Sequence, residues 1–157
     1  MLVQSASVQD GPSGPAEEVP ARDFSPTSKK SPKINVLIVD DEPLVRWSLS
    51  ETLMDNGFGV LQAGDGRGAV TALQEALRPV DVIMLDYRLP DSNSLQLLAR
   101  IRALSPRSQV VMMTAYGTPE LAVEALRLGA FCFVNKPLEM HEVPDLVSRA
   151  YDSTPAA

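Results

Sequence analysis

The chain has 157 residues, 45% of them apolar and 22% charged, and a net charge of −6. That is enough for one compact domain of roughly 120 residues around one core, with the composition of an ordinary globular protein. Residues 1–33 hold four acids (Asp10, Glu17, Glu18, Asp23) and four bases (Arg22, Lys29, Lys30, Lys33), so the whole acidic excess falls on the rest, which excludes direct binding of nucleic acid through clustered Lys and Arg.

Pro12, Pro15, Pro20, Pro26 and Pro32 stand among small and polar residues in the first 33 positions. Such a segment cannot offset its ordering entropy by burial, so a disordered arm is expected. It has no basic stretch followed by an apolar one, so no secretory signal is expected. From Ile34 onward, short apolar runs alternate with helical patterns, as in a parallel sheet crossed by helices. The first strand is predicted near 34–39 and the first helix near 43–56, with Asp41 as its cap, Pro43 in its first turn and Asn56-Gly57 at its end. A second strand near 59–63 leads into Gly64-Asp65-Gly66-Arg67-Gly68. This stretch lacks the spacing of a dinucleotide loop and reads as a turn into a helix near 67–77. Strands near 81–86 and 109–113 flank a helix near 94–104.

Pro119 opens a fourth helix near 119–129, with a core stripe of Leu121, Ala122, Ala125, Leu126 and Leu128 and a stop at Gly129. The fifth strand, near 131–135, contains the single cysteine, Cys132, read as a buried reduced thiol of a cytoplasmic protein. The last helix, near 141–151, has Val143, Leu146, Val147 and Ala150 on one stripe. Pro144 would clash with the carbonyl four residues back in a helix already under way, so regular helix must start at or after His141. Residues 152–157 read as a flexible tail. No run approaches the roughly 18 apolar residues of a membrane span, so no membrane association is expected.

Four of these strands end, at their carboxyl side, on groups suited to phosphoryl chemistry. Ile34–Val39 runs into Asp40-Asp41, Val82–Leu85 into Asp86, Val110–Met113 into Thr114, and Phe131–Asn135 into Lys136. Open parallel sheets bind ligands beyond the carboxyl ends of their strands, where strand order reverses. Adjacent carboxylates repel unless a cation lies between them, and with Asp86 they suit Mg²⁺, which keeps several waters. A carboxylate can also act as nucleophile and carry a phosphoryl group. Thr114 and the Ala115 amide can bond phosphoryl oxygens, and Lys136, the only lysine after Lys33, can offset their charge. Taken singly each has a plainer reading: Asp41 a helix cap, Asp86 a turn aspartate, Thr114 an ordinary strand end, Lys136 a solvated surface group. His141 is the only histidine, which leaves no partner for a hydrolase triad or a zinc site.

Val-Leu-Ile-Val-Asp-Asp-Glu-Pro at 36–43, Asp86-Tyr-Arg-Leu-Pro90, Met113-Thr-Ala-Tyr-Gly117 and Lys136-Pro137 together resemble the receiver domain of bacterial response regulators over about residues 34–151. Arg46-Trp47 and the Met-Thr-Ala-Tyr-Gly run resemble receivers of the nitrogen-regulation type. The resemblance implies a flavodoxin-like α/β fold, a doubly wound five-stranded parallel sheet of order 2-1-3-4-5 with five helices. It implies that Asp86 accepts a phosphoryl group from a phosphohistidine on a cognate sensor histidine kinase. Asp41, Asp86 and the Arg88 carbonyl would hold Mg²⁺ or Mn²⁺, with Asp40 acting partly through water. Thr114 and Lys136 would hold the phosphoryl oxygens, and the Lys136–Pro137 bond would be cis. Phe133 matches the aromatic switch position, and Arg88 and Tyr116 match positions that tune hydrolysis. The implied activity is a signalling switch that catalyses only its own phosphorylation and dephosphorylation. It would rearrange its fourth helix, fifth strand and fifth helix, a face through which a homodimer could form, to control an output domain or partner, with transcription as the expected output.

Two features depart from the family pattern. Asp91-Ser-Asn-Ser94 stands where an Asp-Gly pair is usual, so the loop differs locally or Ser94 caps the third helix. Pro144 is the second. A hydrolase of the haloacid-dehalogenase type would need a carboxylate two residues after the nucleophile, and position 88 is Arg. A receiver-like module that no longer accepts phosphate would not need every acceptor residue present. About fifteen residues follow Leu138 before the polar end, so no output domain is expected in this chain.

Overall fold

The computed structural model describes residues 33–155. The expectations of a disordered arm and of a flexible tail therefore fall outside the described residues, save for Lys33 and for 152–155. Strands β1 (Asn35–Val39), β2 (Gly59–Ala63), β3 (Val82–Asp86), β4 (Gln109–Thr114) and β5 (Cys132–Asn135) alternate with helices α1 (Pro43–Asp55), α2 (Gly66–Glu75), α3 (Ser94–Leu104), α4 (Pro119–Arg127) and α5 (Val143–Asp152). The strands form one parallel sheet of order β2-β1-β3-β4-β5, the doubly wound order expected.

Side chains alternate across the sheet and build a core on each face. Leu37, Val39, Ile83, Leu85, Val110 and Met112 pack with residues of α2 and α3. Val36, Ile38, Val82, Met84, Val111 and Met113 pack under α1 and α5. Strands β1 and β3 are covered on both sides, which is why they are apolar at nearly every position. The chain leaves β1 for β2 on one side and returns to β3 on the other. The crevice at the carboxyl ends of β1 and β3 is thus the reversal point where the acidic residues lie.

Most helix ends obey local rules. Gly57 (φ 89°) and Gly129 (φ 105°) close the turns after α1 and α4 in the left-handed region that glycine tolerates. Asp65 caps α2 by accepting from the Gly68 amide at 2.7 Å, so the Gly-rich stretch is the expected turn into a helix. Thr118 caps α4. A 3-10 turn, Met140–Glu142, precedes α5, and Pro144 sits in its first turn, as its ring requires.

Four expectations need correction. Asp41 does not cap α1; the preceding carboxylate, Asp40, accepts from the Glu42 amide at 2.9 Å, which leaves Asp41 exposed. Ser94 does not cap α3; Asn93, one residue earlier and still extended, accepts from the Leu95 and Gln96 amides. Leu126 is not core but 49% exposed, because α4 lies over the open edge of the sheet, where only Ala125 of its stripe is fully buried. Cys132 is only partly buried, for the same reason: β5 is the edge strand.

Candidate functional site

The carboxyl ends of β1, β3, β4 and β5 deliver Asp40, Asp86, Thr114 and Lys136 to one crevice. Asp40 is fully buried, and Asp86 and Thr114 are buried at the strand ends. Lys136 reaches across from β5 and places its Nζ 2.7 Å from Asp40 Oδ2, 3.4 Å from Asp86 Oδ2 and 3.5 Å from Glu42 Oε1. The cis Lys136–Pro137 bond follows directly. One ammonium thus joins three carboxylates. Burial alone would lower its pKa, but the hydrogen bond to Asp40 and the charges of Asp40, Asp86 and Glu42 outweigh burial and hold it above the usual range.

Asp86 shows the opposite balance. Burial first, and then the charge of Asp40, push its carboxyl from 3.8 up to about 6, although Lys136 and the Arg88 amide pull it down. Its Oδ1 accepts from the Arg88 amide at 3.3 Å. Oxygens of Asp40, Asp41 and Asp86 lie within 4.8 Å of one another. Such a set of hard oxygens, buried on two sides and open at Asp41, fits a small divalent cation that keeps waters on its exposed side. Both Asp40 oxygens already accept hydrogen bonds, from Glu42 and Lys136. Thr114 Oγ1 accepts from the Tyr116 amide at 3.1 Å, and Ala115 is exposed beside it. The Arg88 guanidinium lies 5.2 Å from the centre of the Tyr116 ring, a cation–π pair formed between the loops after β3 and β4. Phe133 is half-buried, and its ring so closely approaches Gly117 that a Cβ there would stand 2.8 Å from it.

Asp40, Asp41, Asp86 and Lys136 are therefore gathered at this crevice, with Arg88, Thr114, Ala115 and Tyr116 on the loops and strand end beside it, whereas Phe133 lies further back on β5, opposite Met112 of β4. Two residues named in the sequence were given no part in the site. Arg46 donates from Nη1 to the Asp40 carbonyl at 2.5 Å, and Gly64 leaves it room, since a Cβ at 64 would stand 3.1 Å from that nitrogen. Asp91 accepts from the Gly66 and Arg67 amides at 2.8 and 3.0 Å. Neither has a local signal: an arginine on a helix and an aspartate in a turn are commonplace.

The family model for the response regulator receiver domain matches residues 36–148. The regulatory protein AtoC of Escherichia coli (strain K12) is 41% identical over 115 residues, 73% of this chain and 24% of that protein. The DNA-binding transcriptional regulator NtrC of Salmonella typhimurium is 35% identical over 115 residues, again 73% of this chain and 24% of that protein. The matched stretch is thus about a quarter of each relative. Among solved structures, the CheX–CheY–BeF3–Mg²⁺ complex of Borrelia burgdorferi superposes with a TM-score of 0.70 at 29% identity, covering 75% of this chain and 89% of that one.

Proposed function

This chain belongs to the response regulator receiver domain family, with relatives of the nitrogen-regulation type, and from that premise we propose that Asp86 is the phosphoacceptor of its switch. The observation that carries the assignment is the Asp86 carboxylate itself, buried at the reversal point between Lys136 and the Asp40–Asp41 pair. An Asp86 oxygen attacks the phosphorus of a phosphohistidine on a cognate sensor histidine kinase, the P–N bond breaks, and the imidazole leaves with its electron pair. Asp41, Asp86 and the Arg88 carbonyl hold Mg²⁺ or Mn²⁺. Asp40, its oxygens already engaged, acts partly through water. The cation, when bound, neutralises charge on the transferring phosphoryl group. Lys136 and the Thr114 hydroxyl hold the phosphoryl oxygens, with the Ala115 amide.

The Arg88–Tyr116 pair, on the loops after β3 and β4, tunes hydrolysis of the aspartyl phosphate. Phe133 has no hydroxyl, so its switching between positions rests on packing alone. The domain is no stand-alone enzyme: it catalyses only its own phosphorylation and dephosphorylation, in the cytoplasm. The receiver is assigned to residues 34–151, with the last turn of α5 running one residue further, to Asp152. The switch acts on an output domain or partner protein, with transcription as the end point, and not by direct contact of this domain with nucleic acid or a membrane.

Intact mass after incubation with Mg²⁺ and acetyl phosphate tests the assignment. One added phosphoryl group is expected, absent in Asp86→Asn and after EDTA. No adduct in a folded protein that also fails to bind beryllofluoride would leave an interaction module that does not accept phosphate. A homodimer through the α4, β5 and α5 face is part of this proposal, supported by the exposure of Val123 at 54% and Leu126 at 49% on α4 beside the half-buried β5. Sedimentation should show a dimer with beryllofluoride and Mg²⁺ and a monomer without. A monomer at all concentrations in both conditions would rule that face out as a dimer contact.

A further inference from the structure

The loop after β3 crosses to the start of α2 and is fastened there. The two oxygens of Asp91 accept from the amides of Gly66 and Arg67, 25 and 24 positions earlier in the chain. These are the first two helical amides of α2, and Asp65 takes the third, from Gly68. Donors that a helix start leaves unpartnered are thus shared between its own cap and a carboxylate from another loop. Ser92 Oγ bonds Asp91 Oδ1 at 2.9 Å, and a bridge between Leu89 and Ser92 closes the turn with Asp91 near its tip. The seat is close: a Cβ on Gly66 would lie 1.9 Å from Ser92 Oγ and 3.2 Å from Asp91 Oδ1. The two amide hydrogen bonds hold the Asp91 carboxyl below the usual carboxylate range, which keeps it ionised and accepting.

We propose that Asp91 is a positioning residue of the phosphoacceptor site: by fastening its loop to the start of α2, it fixes Arg88, whose amide bonds Asp86. The loop has two anchors. Leu89 is buried in the core at 9% exposure, and Asp91 is tied to α2. Arg88 lies between Asp86 and these anchors, so the direction of its peptide depends on both. This inference rests on the proposed site, in which the Arg88 carbonyl faces the cation. It also accounts for the Asp-Ser-Asn-Ser departure: Asn93 takes over the cap of α3, which leaves Asp91 to reach α2.

The test compares Asp91→Ala with Asp65→Ala. Both remove a cap from α2, but only Asp91→Ala frees the loop. Mg²⁺ affinity, read by titration of the folded chain, should fall about tenfold in Asp91→Ala, the usual cost of losing a residue that orients a metal ligand. It should stay at the parent value in Asp65→Ala, although the melting temperature drops in both. Asp91→Asn, which keeps one accepting oxygen, should fall between. Amide exchange of Arg88, measured without metal, should quicken in Asp91→Ala alone. Parent affinity and parent exchange in Asp91→Ala would overturn the inference, as would equal losses in the two alanine variants. If the parent chain itself fails to bind Mg²⁺, the site assignment is what fails, and Arg88 exchange still decides the role of Asp91.

Discussion

Asp86→Asn is expected to unfold at higher urea than the parent chain in metal-free buffer at pH 7, although it removes the proposed phosphoacceptor. The cause is the carboxyl that burial and Asp40 push from 3.8 up to about 6. A carboxyl held above its unfolded value binds its proton more tightly in the fold. Its contribution to stability is complete below pH 3.8 and is lost as the pH rises through about 6. At pH 7 the ionised group therefore opposes folding. The displacement corresponds to about 3 kcal/mol unscreened, and to about 1–2 kcal/mol once solvent at the open side of the crevice is counted. Asparagine removes the charge at nearly constant volume and should recover about that amount. Near pH 4 both chains carry a neutral group there, and the gap should close.

Mg²⁺ reverses the order, because it binds the native parent through Asp86 and stabilises it by mass action. Asp86→Asn should gain little from the metal. Protons compete for the same oxygens, so Mg²⁺ affinity of the parent should fall as the pH drops through about 6. Urea titrations at pH 4 and 7, with and without Mg²⁺, measure all of this. A variant less stable than the parent at pH 7, by the same margin at pH 4, would show that the asparagine merely disrupts packing.

The site was legible because its parts are ends of strands. A run such as Val82–Leu85 identifies a buried strand, and the residue after it must emerge at the carboxyl edge of the sheet. Asp40, Asp86, Thr114 and Lys136 could thus be assigned to one place without knowing a single distance. What escaped was of two kinds. Contacts between loops have no period: nothing near Asp91 announces Gly66, and nothing near Arg46 announces the Asp40 carbonyl. Adjacent residues with the same capping chemistry also cannot be told apart by type. Asp40 and Asp41, or Ser92, Asn93 and Ser94, are all competent, and backbone direction chooses among them. Helix α1 adds a third difficulty. It buries Leu49 and Leu53 yet exposes Leu44 at 73% and Trp47 at 59%, so apolar residues occupy both sides and the sequence does not mark which faces the sheet. Cores failed only at the open edge, where Leu126 and Cys132 have the apolar pattern but are incompletely covered.

Lys136→Met should shift stability the other way from Asp86→Asn, and by more. The ammonium is the cation shared by Asp40, Asp86 and Glu42, and its side chain is 14% exposed while that of Asp40 is fully buried. Methionine keeps the stem and deletes the charge, so packing changes little. Two buried carboxylates are then left facing each other without a counter-ion, and removing one partner of such a pair costs about 3 kcal/mol. Because the deficit is one of charge, a divalent cation should restore part of it: Mg²⁺ is expected to raise the urea midpoint of Lys136→Met more than that of the parent. Removing one of the repelling carboxylates should also help, so Asp86→Asn combined with Lys136→Met should lose less than Lys136→Met alone. The two substitutions touch the same pair, and their effects must couple rather than act independently. Equal stability of parent and Lys136→Met without metal would mean that Asp40 and Asp86 are neutralised by something other than this lysine. A loss that neither Mg²⁺ nor Asp86→Asn relieves would place the role of Lys136 in packing, with its charge incidental.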